Sequence, residues 1–300
     1  MNPEFKRIAL LGRHTDSRVA EPMQALSRYL TKAGHDVSAA DTLGLDLDAQ
    51  RMPETDLCAA ADLAIAIGGD GTMLYASRLA RDSGTPILGV NRGRLGFLAD
   101  ITHDEMIASV DQVLAGNYQR DSRMLLEARL ETADGNLTRE LGLNDVVVQR
   151  AARGGMVDFS THVAGQYLNT HSGDGLIVAT PTGSTAYALS CGGPILEPHI
   201  EAVALVPICP HTLTDRPIVI AANQAITLRL LEREDAGASV SIDGHSIGQI
   251  SAGDTLTIEA SKRRIRLIHP PGYDFYGILR SKLLWGRDSR VRVAGSGKKC

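Results

Sequence analysis

From Phe5 to about Arg120, short apolar runs alternate with stretches of helical period. Ile8-Ala9-Leu10-Leu11-Gly12 reads as a buried strand, followed by a helix in which Val19, Met23, Leu26 and Leu30 share one face. Gly34 supplies its stop, and Val37 opens the next extended piece. Leu63-Ala64-Ile65-Ala66-Ile67 is a second apolar strand, running through Gly68-Gly69-Asp70-Gly71-Thr72 into a helix over Met73 to Arg81. Pro86 to Val90 predicts a further strand, and Met106, Val110 and Val113 mark another helix. Such alternation predicts a parallel sheet with helices on both faces.

After Ser122 the texture changes. Extended runs appear at Leu125 to Leu130, Val146 to Gln149, Val157 to Val163, Leu176 to Thr180, Ile226 to Leu231, Val240 to Asp243 and Ile265 to Ile268. Turn signals such as Ala133-Asp134-Gly135-Asn136 and Ala252-Gly253-Asp254 separate them, which predicts an all-β second domain. Tyr276, Leu279 and Leu283 return to helical spacing in a tail expected to pack on the first domain, and Gly295 to Cys300 reads as a frayed end. The expected domains are residues 1–121, 122–269 and the tail 270–300.

Composition narrows the partners. Of 300 residues, 43% are hydrophobic, enough for a substantial core, and 35 acidic against 31 basic residues give no positive field for nucleic acid. Cys58, Cys191, Cys209 and Cys300 form no CxxC pair and no zinc spacing, and no charged-then-apolar leader precedes them, so a reduced cytoplasmic protein is expected. The longest apolar runs, such as Val203 to Cys209, are too short to cross a bilayer, and no membrane partner is expected.

Gly68-Gly69-Asp70-Gly71-Thr72 is the sharpest local signal. A glycine loop between a strand and a helix lets backbone amides and the helix dipole face a phosphate. A carboxylate amid such a loop suits an acceptor for the proton of an attacking hydroxyl, or a metal ligand, and Asp70 is the general-base candidate. Its bland alternative is a glycine turn with Asp70 as helix cap. Asp174-Gly175-Leu176 leads through Thr180-Pro181-Thr182-Gly183-Ser184-Thr185-Ala186-Tyr187 into a short helix, with three hydroxyls near the helix start and a tyrosine able to stack on a base. Thr182 or Ser184 is equally an ordinary cap and Tyr187 a core residue. Asn144-Asp145 at the head of Val146-Val147-Val148 offers an amide and a carboxylate to a ribose diol, or is simply a turn. In Asn91-Arg92-Gly93-Arg94-Leu95-Gly96-Phe97, Arg92 or Arg94 would meet a phosphate or stay solvated. His199, His211 and His245 are scattered and imply no metal cage, His245 reading as a hairpin-turn residue. No GxxxxGK[ST] precedes a helix and no GxGxxG is present, which argues against P-loop kinases and dinucleotide-dependent dehydrogenases.

Taken in order, GGDGT at 68–72, Asn144-Asp145, Asp174-Gly175-Leu176, the TPTGSTAY run at 180–187 and the closing Pro270-Pro271-Gly272-Tyr273-Asp274-Phe275-Tyr276 stretch resemble the bacterial NAD kinases, from about Ile8 to Trp285. GGDGT alone is shared with diacylglycerol kinases and, more loosely, phosphofructokinases; TPTGSTAY after DGL is far more specific. The resemblance implies a Rossmann-like α/β N-terminal domain, an all-β C-terminal domain, and transfer of the γ-phosphoryl of ATP to the adenosine-ribose 2′-hydroxyl of NAD. It implies Asp70 as proton acceptor and Gly68, Gly69 and Thr72 as phosphate loop. Gly71 would lie against the dinucleotide, Asn144 and Asp145 would hold a ribose, and Asp174, Thr185, Ala186, Tyr187, Ser190 and His245 would complete an NAD pocket, partly from a neighbouring subunit. Magnesium or another divalent cation with ATP, and a homodimer or homotetramer, are implied likewise. Asp145 stands where many relatives have Glu, His245 where many have Gln, and Gly155 and Ser172 where a basic residue is frequent; these departures bear on the preference for NAD over NADH. The rival enzyme is a lipid or sugar kinase using the same glycine loop, and the rival non-enzyme is a dinucleotide sensor, which needs no carboxylate there.

Overall fold

The fold was taken from a computed structural model, which describes residues 4–13, 19–93, 96–151, 156–232 and 237–285. Arg94, Gly155 and the Gly295 to Cys300 end, singled out above, lie outside those residues. The chain divides into two compact units: residues 1–73, 87–120 and 268–300 form one, and residues 74–86 and 121–267 the other.

The first unit is built from β1 (Arg7–Leu11), α1 (Ala20–Lys32), β2 (Asp36–Ala40), β3 (Gln50–Met52), α2 (Glu54–Ala60), β4 (Leu63–Gly68), the start of α3 (Asp70–Ala80), β5 (Ile87–Asn91) and α4 (Met106–Leu114). Its strands lie in the order β5-β4-β1-β2-β3, every pair parallel. Central strands covered on both faces must be apolar throughout, and β4 is buried at all of its positions. The α1 stripe Met23, Leu26 and Leu30 is fully buried, each side chain contributing roughly 1.5–3 kcal/mol of apolar transfer. Gly34 ends that turn at φ +89°, a left-handed backbone that glycine enters without steric cost. β3 and α2 had no sequence-based expectation: three residues and seven residues are too short to establish a period.

The second unit contains most of β6 (Gln119–Glu131), β7 (Leu137–Gly142), β8 (Asp145–Arg150), β9 (Val157–Val163), β10 (Gln166–Gly173), β11 (Gly175–Ala179), α5 (Tyr187–Ser190), β12 (Ala202–Ile208), β13 (Ile218–Ala221), β14 (Ile226–Leu230), β15 (Ala238–Ile242), β16 (His245–Ile250) and most of β17 (Thr255–His269). One antiparallel sheet has the order β13-β12-β11-β8-β15-β16, and β10-β9-β14-β17 with β6 and β7 form the other. Val146, Val148, Leu176, Val178, Val203 and Leu205 from the first sheet share a core with Leu126, Phe159, Leu228, Leu256 and Ile258 from the second. The alternate residues Val147, Ile177, Ala179, Ala204 and Val206 pack against Ala188 and Leu196 on the opposite face. That sheet is therefore buried on both sides, which explains why Val146-Val147-Val148 and Leu176-Ile177-Val178-Ala179 are unbroken apolar runs.

The tail returns to the first unit. Ile278 and Leu279 of α6 (Phe275–Leu283) are buried, the Lys282 ammonium lies 5.9 Å from the centre of the Phe97 ring, and His269 Nδ1 meets Asp100 Oδ2 at 2.9 Å. No helix among the described residues is long and apolar enough to cross a membrane.

Candidate functional site

Asp70 is the first residue of α3, directly after the buried strand β4 and one glycine. Its carboxylate does not cap its own helix. One oxygen accepts the Phe97 amide and the other the Leu98 amide, each at 3.0 Å, so the group is held on two points while remaining half-buried. The supporting loop is itself braced: Asn91 Oδ1 accepts the Gly93 amide at 2.8 Å, and Asn91 N donates to Ile101 O at 2.7 Å. A Cβ on Gly96 would fall 2.0 Å from Asp70 Oδ1, so the glycine in Gly96-Phe97 is what lets the backbone approach the acid. That role was not legible in the sequence, where the Asn91 to Phe97 stretch drew attention for its arginines; Arg92 is half-buried.

The loop glycines separate into two kinds. Gly68 is packed, since a Cβ there would lie 2.1 Å from Thr72 Oγ1, and Thr72 is buried. Around Gly69 and Gly71 a Cβ would meet nothing within 4 Å, and neither residue has a positive φ. Neither packing nor conformation within the chain requires glycine at those two positions, which leaves open surface beside Asp70.

In the second unit the turn before β8 is fixed from two sides. Asp243 accepts the amides of Leu143 (2.7 Å), Asn144 (2.7 Å) and Asp145 (3.2 Å) on its two oxygens. Asp243 can do this because Asp243-Gly244 forms the two-residue turn between β15 and β16, both at positive φ (47° and 79°), the geometry that Asp-Gly favours. Sequence reading saw the turn but not the carboxylate; an Asp-Gly signal predicts a hairpin and carries no information on what the side chain reaches. From the other side Thr180 Oγ1 donates to Leu143 O at 2.6 Å and Thr180 N to Asn144 O at 2.9 Å, while a Cβ on Gly183 would lie 2.0 Å from Asn144 O. The Thr180–Gly183 loop and the Asn144–Asp145 turn are thus packed backbone against backbone.

The hydroxyls of that loop are engaged within the protein. Thr182 Oγ1 accepts from Arg123 Nη1 at 3.2 Å, Ser184 Oγ donates to Pro181 O and accepts the Leu196 amide, and Thr185 Oγ1 donates to Thr182 O at 3.1 Å. Arg123 is fully buried and paired with buried Asp121, which also meets His199 Nε2 at 3.1 Å. Arg123 and Asp121 look like ordinary surface charges in sequence; only their burial shows them to be the strut beneath Thr182.

Two groups in this region are electrostatically uneasy. Burial, then the neighbouring Asp243 charge, push the Asp145 carboxyl up to about 7. Burial also raises Asp243, opposed by its three amide bonds. The buried Asn144 Oδ1 has no hydrogen-bond partner, a cost of about 1–3 kcal/mol unless a ligand or water satisfies it. Asp174 receives Arg150 Nε at 2.7 Å, Tyr187 and Ser190 are exposed on α5, Ala186 and Thr185 are half-buried, and His245 is exposed at the start of β16. Ser172 donates to Asp158 Oδ1 at 2.5 Å.

Comparison with known proteins gives this arrangement a family. Residues 11–118 match the ATP-NAD kinase N-terminal domain and residues 143–270 the ATP-NAD kinase C-terminal domain. The chain is 39% identical over 294 residues to an NAD kinase of Aromatoleum aromaticum, covering 97% of each chain. Its fold is similar to yeast NADH kinase complexed with NADH (TM-score 0.86, 23% identity, 96% of this chain and 89% of that one). It is also similar to an NAD kinase from Archaeoglobus fulgidus in complex with ATP (TM-score 0.70, 25% identity, 92% and 99%). The two domain matches, the full-length relative and the shared architecture agree: the chain belongs to the ATP-NAD kinase family, whose members phosphorylate NAD to NADP at the expense of ATP.

Proposed function

We propose that, in the ATP-dependent phosphorylation of NAD carried out by this chain, Asp70 accepts the proton of the adenosine-ribose 2′-hydroxyl. A new bond forms between that oxygen and the γ-phosphorus, the bond from the γ-phosphorus to the β,γ-bridging oxygen breaks, and ADP leaves with the electron pair. Such a loose transfer asks mainly for alignment. The observation that carries the reading is the Asp70 carboxylate pinned by the Phe97 and Leu98 amides next to two glycines that nothing in the chain obliges to be glycine. A fixed, half-buried acceptor beside clear backbone suits a base facing a phosphate tail.

Asn144 and Asp145 are the proposed ribose ligands. The free Asn144 Oδ1 would accept a hydroxyl proton, and a carboxyl titrating about 7 either donates or accepts near neutrality. Gly71, Asp174, Thr185, Ala186, Tyr187, Ser190 and His245 complete the proposed NAD contacts, and Gly68, Gly69 and Thr72 the phosphate loop. We also read the assembly as a homodimer or homotetramer in the cytoplasm. No group of three His, Cys, Asp or Glu side chains among the described residues could cage a metal ion. A divalent cation with ATP would instead be held largely by phosphate oxygens, as magnesium prefers, and no step here is routed through it.

The test is NADP formation from ATP and NAD by Asp70→Asn, with NAD affinity measured alongside. Asn keeps an acceptor oxygen for one loop amide and turns a donor toward the other, so the loop is held on one point instead of two; NAD binding should persist while turnover falls ~10²-fold or more. Near-normal turnover would remove Asp70 from the chemistry.

A further inference from the structure

The Phe97 and Leu98 amides that grip Asp70 lie in a stretch outside any helix or strand. One side of that stretch is tied to β5: Ile101 O accepts the Asn91 amide at 2.7 Å, and a Cβ on Gly89 would fall 2.9 Å from Ala99 Cα. Asp100 ties it to the tail. Its side chain is 9% exposed and meets the imidazole of His269, 2% exposed, at the end of β17. A carboxylate only accepts, so His269 Nδ1 is the donor. The other Asp100 oxygen is buried with no hydrogen-bond partner among the described residues, which leaves the His269 N–H to steady a buried carboxylate. His269 is itself fixed, because the Tyr273 ring stacks on it with centroids 3.8 Å apart and planes 16° apart, and Pro270-Pro271 restrict the turn that brings Tyr273 back. With Lys282 over the Phe97 ring, the tail touches the stretch on either side of Leu98.

We propose that His269 is a positioning residue for Asp70: by holding Asp100 it sets the Phe97 and Leu98 amides where the two Asp70 oxygens meet them. The line of contact is short. It runs 2.9 Å from His269 Nδ1 to Asp100 Oδ2, along the backbone from Asp100 to Leu98, and 3.0 Å from the Leu98 amide to Asp70 Oδ1. Two amides fix the rotation of a carboxylate as well as its place, whereas one leaves it free to swing. Misplacing a reacting group by about 1 Å costs up to about 10²-fold in turnover. The residues proposed to bind the substrates are not moved, so the effect falls on kcat and spares KM. The inference rests on the reading of Asp70 as the base. A His269–Asp100 pair that only stapled the tail in place would lower stability without acting through Asp70.

Two substitutions in the full chain test this. His269→Phe keeps a ring for Tyr273 and loses the donor, and His269→Asn restores an N–H near the Nδ1 position. Each is made in wild type and in Asp70→Asn, and kcat, the KM values for NAD and ATP, and hydrogen exchange at the Phe97 and Leu98 amides are measured well below the thermal midpoint. His269→Phe should lower kcat about tenfold or more with both KM values within about twofold of wild type. Exchange at the two amides should quicken about tenfold, and His269→Asn should recover most of both changes. In the Asp70→Asn chain the same substitution should change kcat by no more than about twofold, because the group it places has already gone. Should the stranded Asp100 carboxylate stop His269→Phe from folding, His269→Phe made in Asp100→Asn and compared with Asp100→Asn gives the same readings with no buried charge left unpaired. Unchanged exchange at both amides, or an equal loss of kcat in the Asp70→Asn chain, overturns the proposal. Near-normal turnover in Asp70→Asn alone would take the base assignment and this proposal with it, whereas unchanged exchange in His269→Phe takes the proposal only, so the two failures are separable.

Discussion

The Asp70 loop of the first unit follows a buried strand and the Asn144–Asp145 turn of the second opens one, and they are held in opposite ways. Asp70 is gripped by two amides of one neighbouring loop and is otherwise bordered by open backbone at Gly69 and Gly71. The Asn144–Asp145 turn is boxed in by Asp243 beneath, the Thr180–Gly183 loop alongside and, behind Thr182, the buried Arg123–Asp121 pair. On the roles proposed above, a group that meets a moving phosphate stays accessible, and a group that holds a sugar in register is built into a rigid polar scaffold, at the cost of a carboxyl raised by burial. The contrast says where substitutions should hurt folding and where they should hurt only chemistry.

The largest expected effect breaks the scaffold's electrostatics. A carboxyl with a folded value of about 7 against an ordinary 3.8 binds a proton more readily in the folded chain. The folded state therefore loses relative stability as pH rises through that window and is level above it. Between pH 5 and pH 8 this amounts to about 2–3 kcal/mol, and Asp145→Asn should remove that part of the slope, leaving the smaller part due to Asp243. Urea denaturation at the two pH values measures it; equal slopes in both proteins would show that Asp145 is not strained.

Next comes Gly183→Ala. With a backbone oxygen 2.0 Å from the new Cβ, the turn and loop must separate, costing on the order of 1–3 kcal/mol. A lowered thermal midpoint together with a raised KM for NAD is expected. An unchanged midpoint would mean that the two segments are not in the tight register described.

The smallest stability effect belongs to the mirror case, Gly71→Ala. No neighbour lies within 4 Å of the added carbon and the residue is in the first turn of α3, so the variant should be as stable as wild type or up to ~1 kcal/mol more stable through helix propensity. Its loss should appear in the KM for NAD or ATP. An intact KM would undo the reading that Gly71 is glycine for the sake of a ligand.

Much of this was legible in the chain. The fully buried strands Leu63–Gly68 and Gly175–Ala179 were readable because two-sided burial writes itself as an unbroken apolar run. Of the strands left unread, β7, β10, β13 and β16 are largely exposed or interrupted by polar residues and lie toward sheet edges where the apolar period fades, and β3 is only three residues long. β12 (Ala202–Ile208) is the exception: buried and apolar, it drew notice only as an apolar run too short to cross a bilayer. Asp70, Asn144 and Asp145 stood out because their spacing within glycine loops and strand ends is itself chemical information. Asp243, Gly96 and Arg123 did not, since an Asp in a turn, a Gly in a loop and an Arg in a strand are each commonplace.

What the sequence by itself determined is therefore the ordered series of strands and loops and the family to which they belong. The tertiary structure alone decided which carboxylate is held by amides from a loop 27 residues further on, which is crowded by a second acid, and which arginine is a buried strut rather than a solvated charge. The reason is physical: hydrophobic period and turn chemistry act between near neighbours in the chain, whereas hydrogen-bond partnership and desolvation depend on what folding brings alongside.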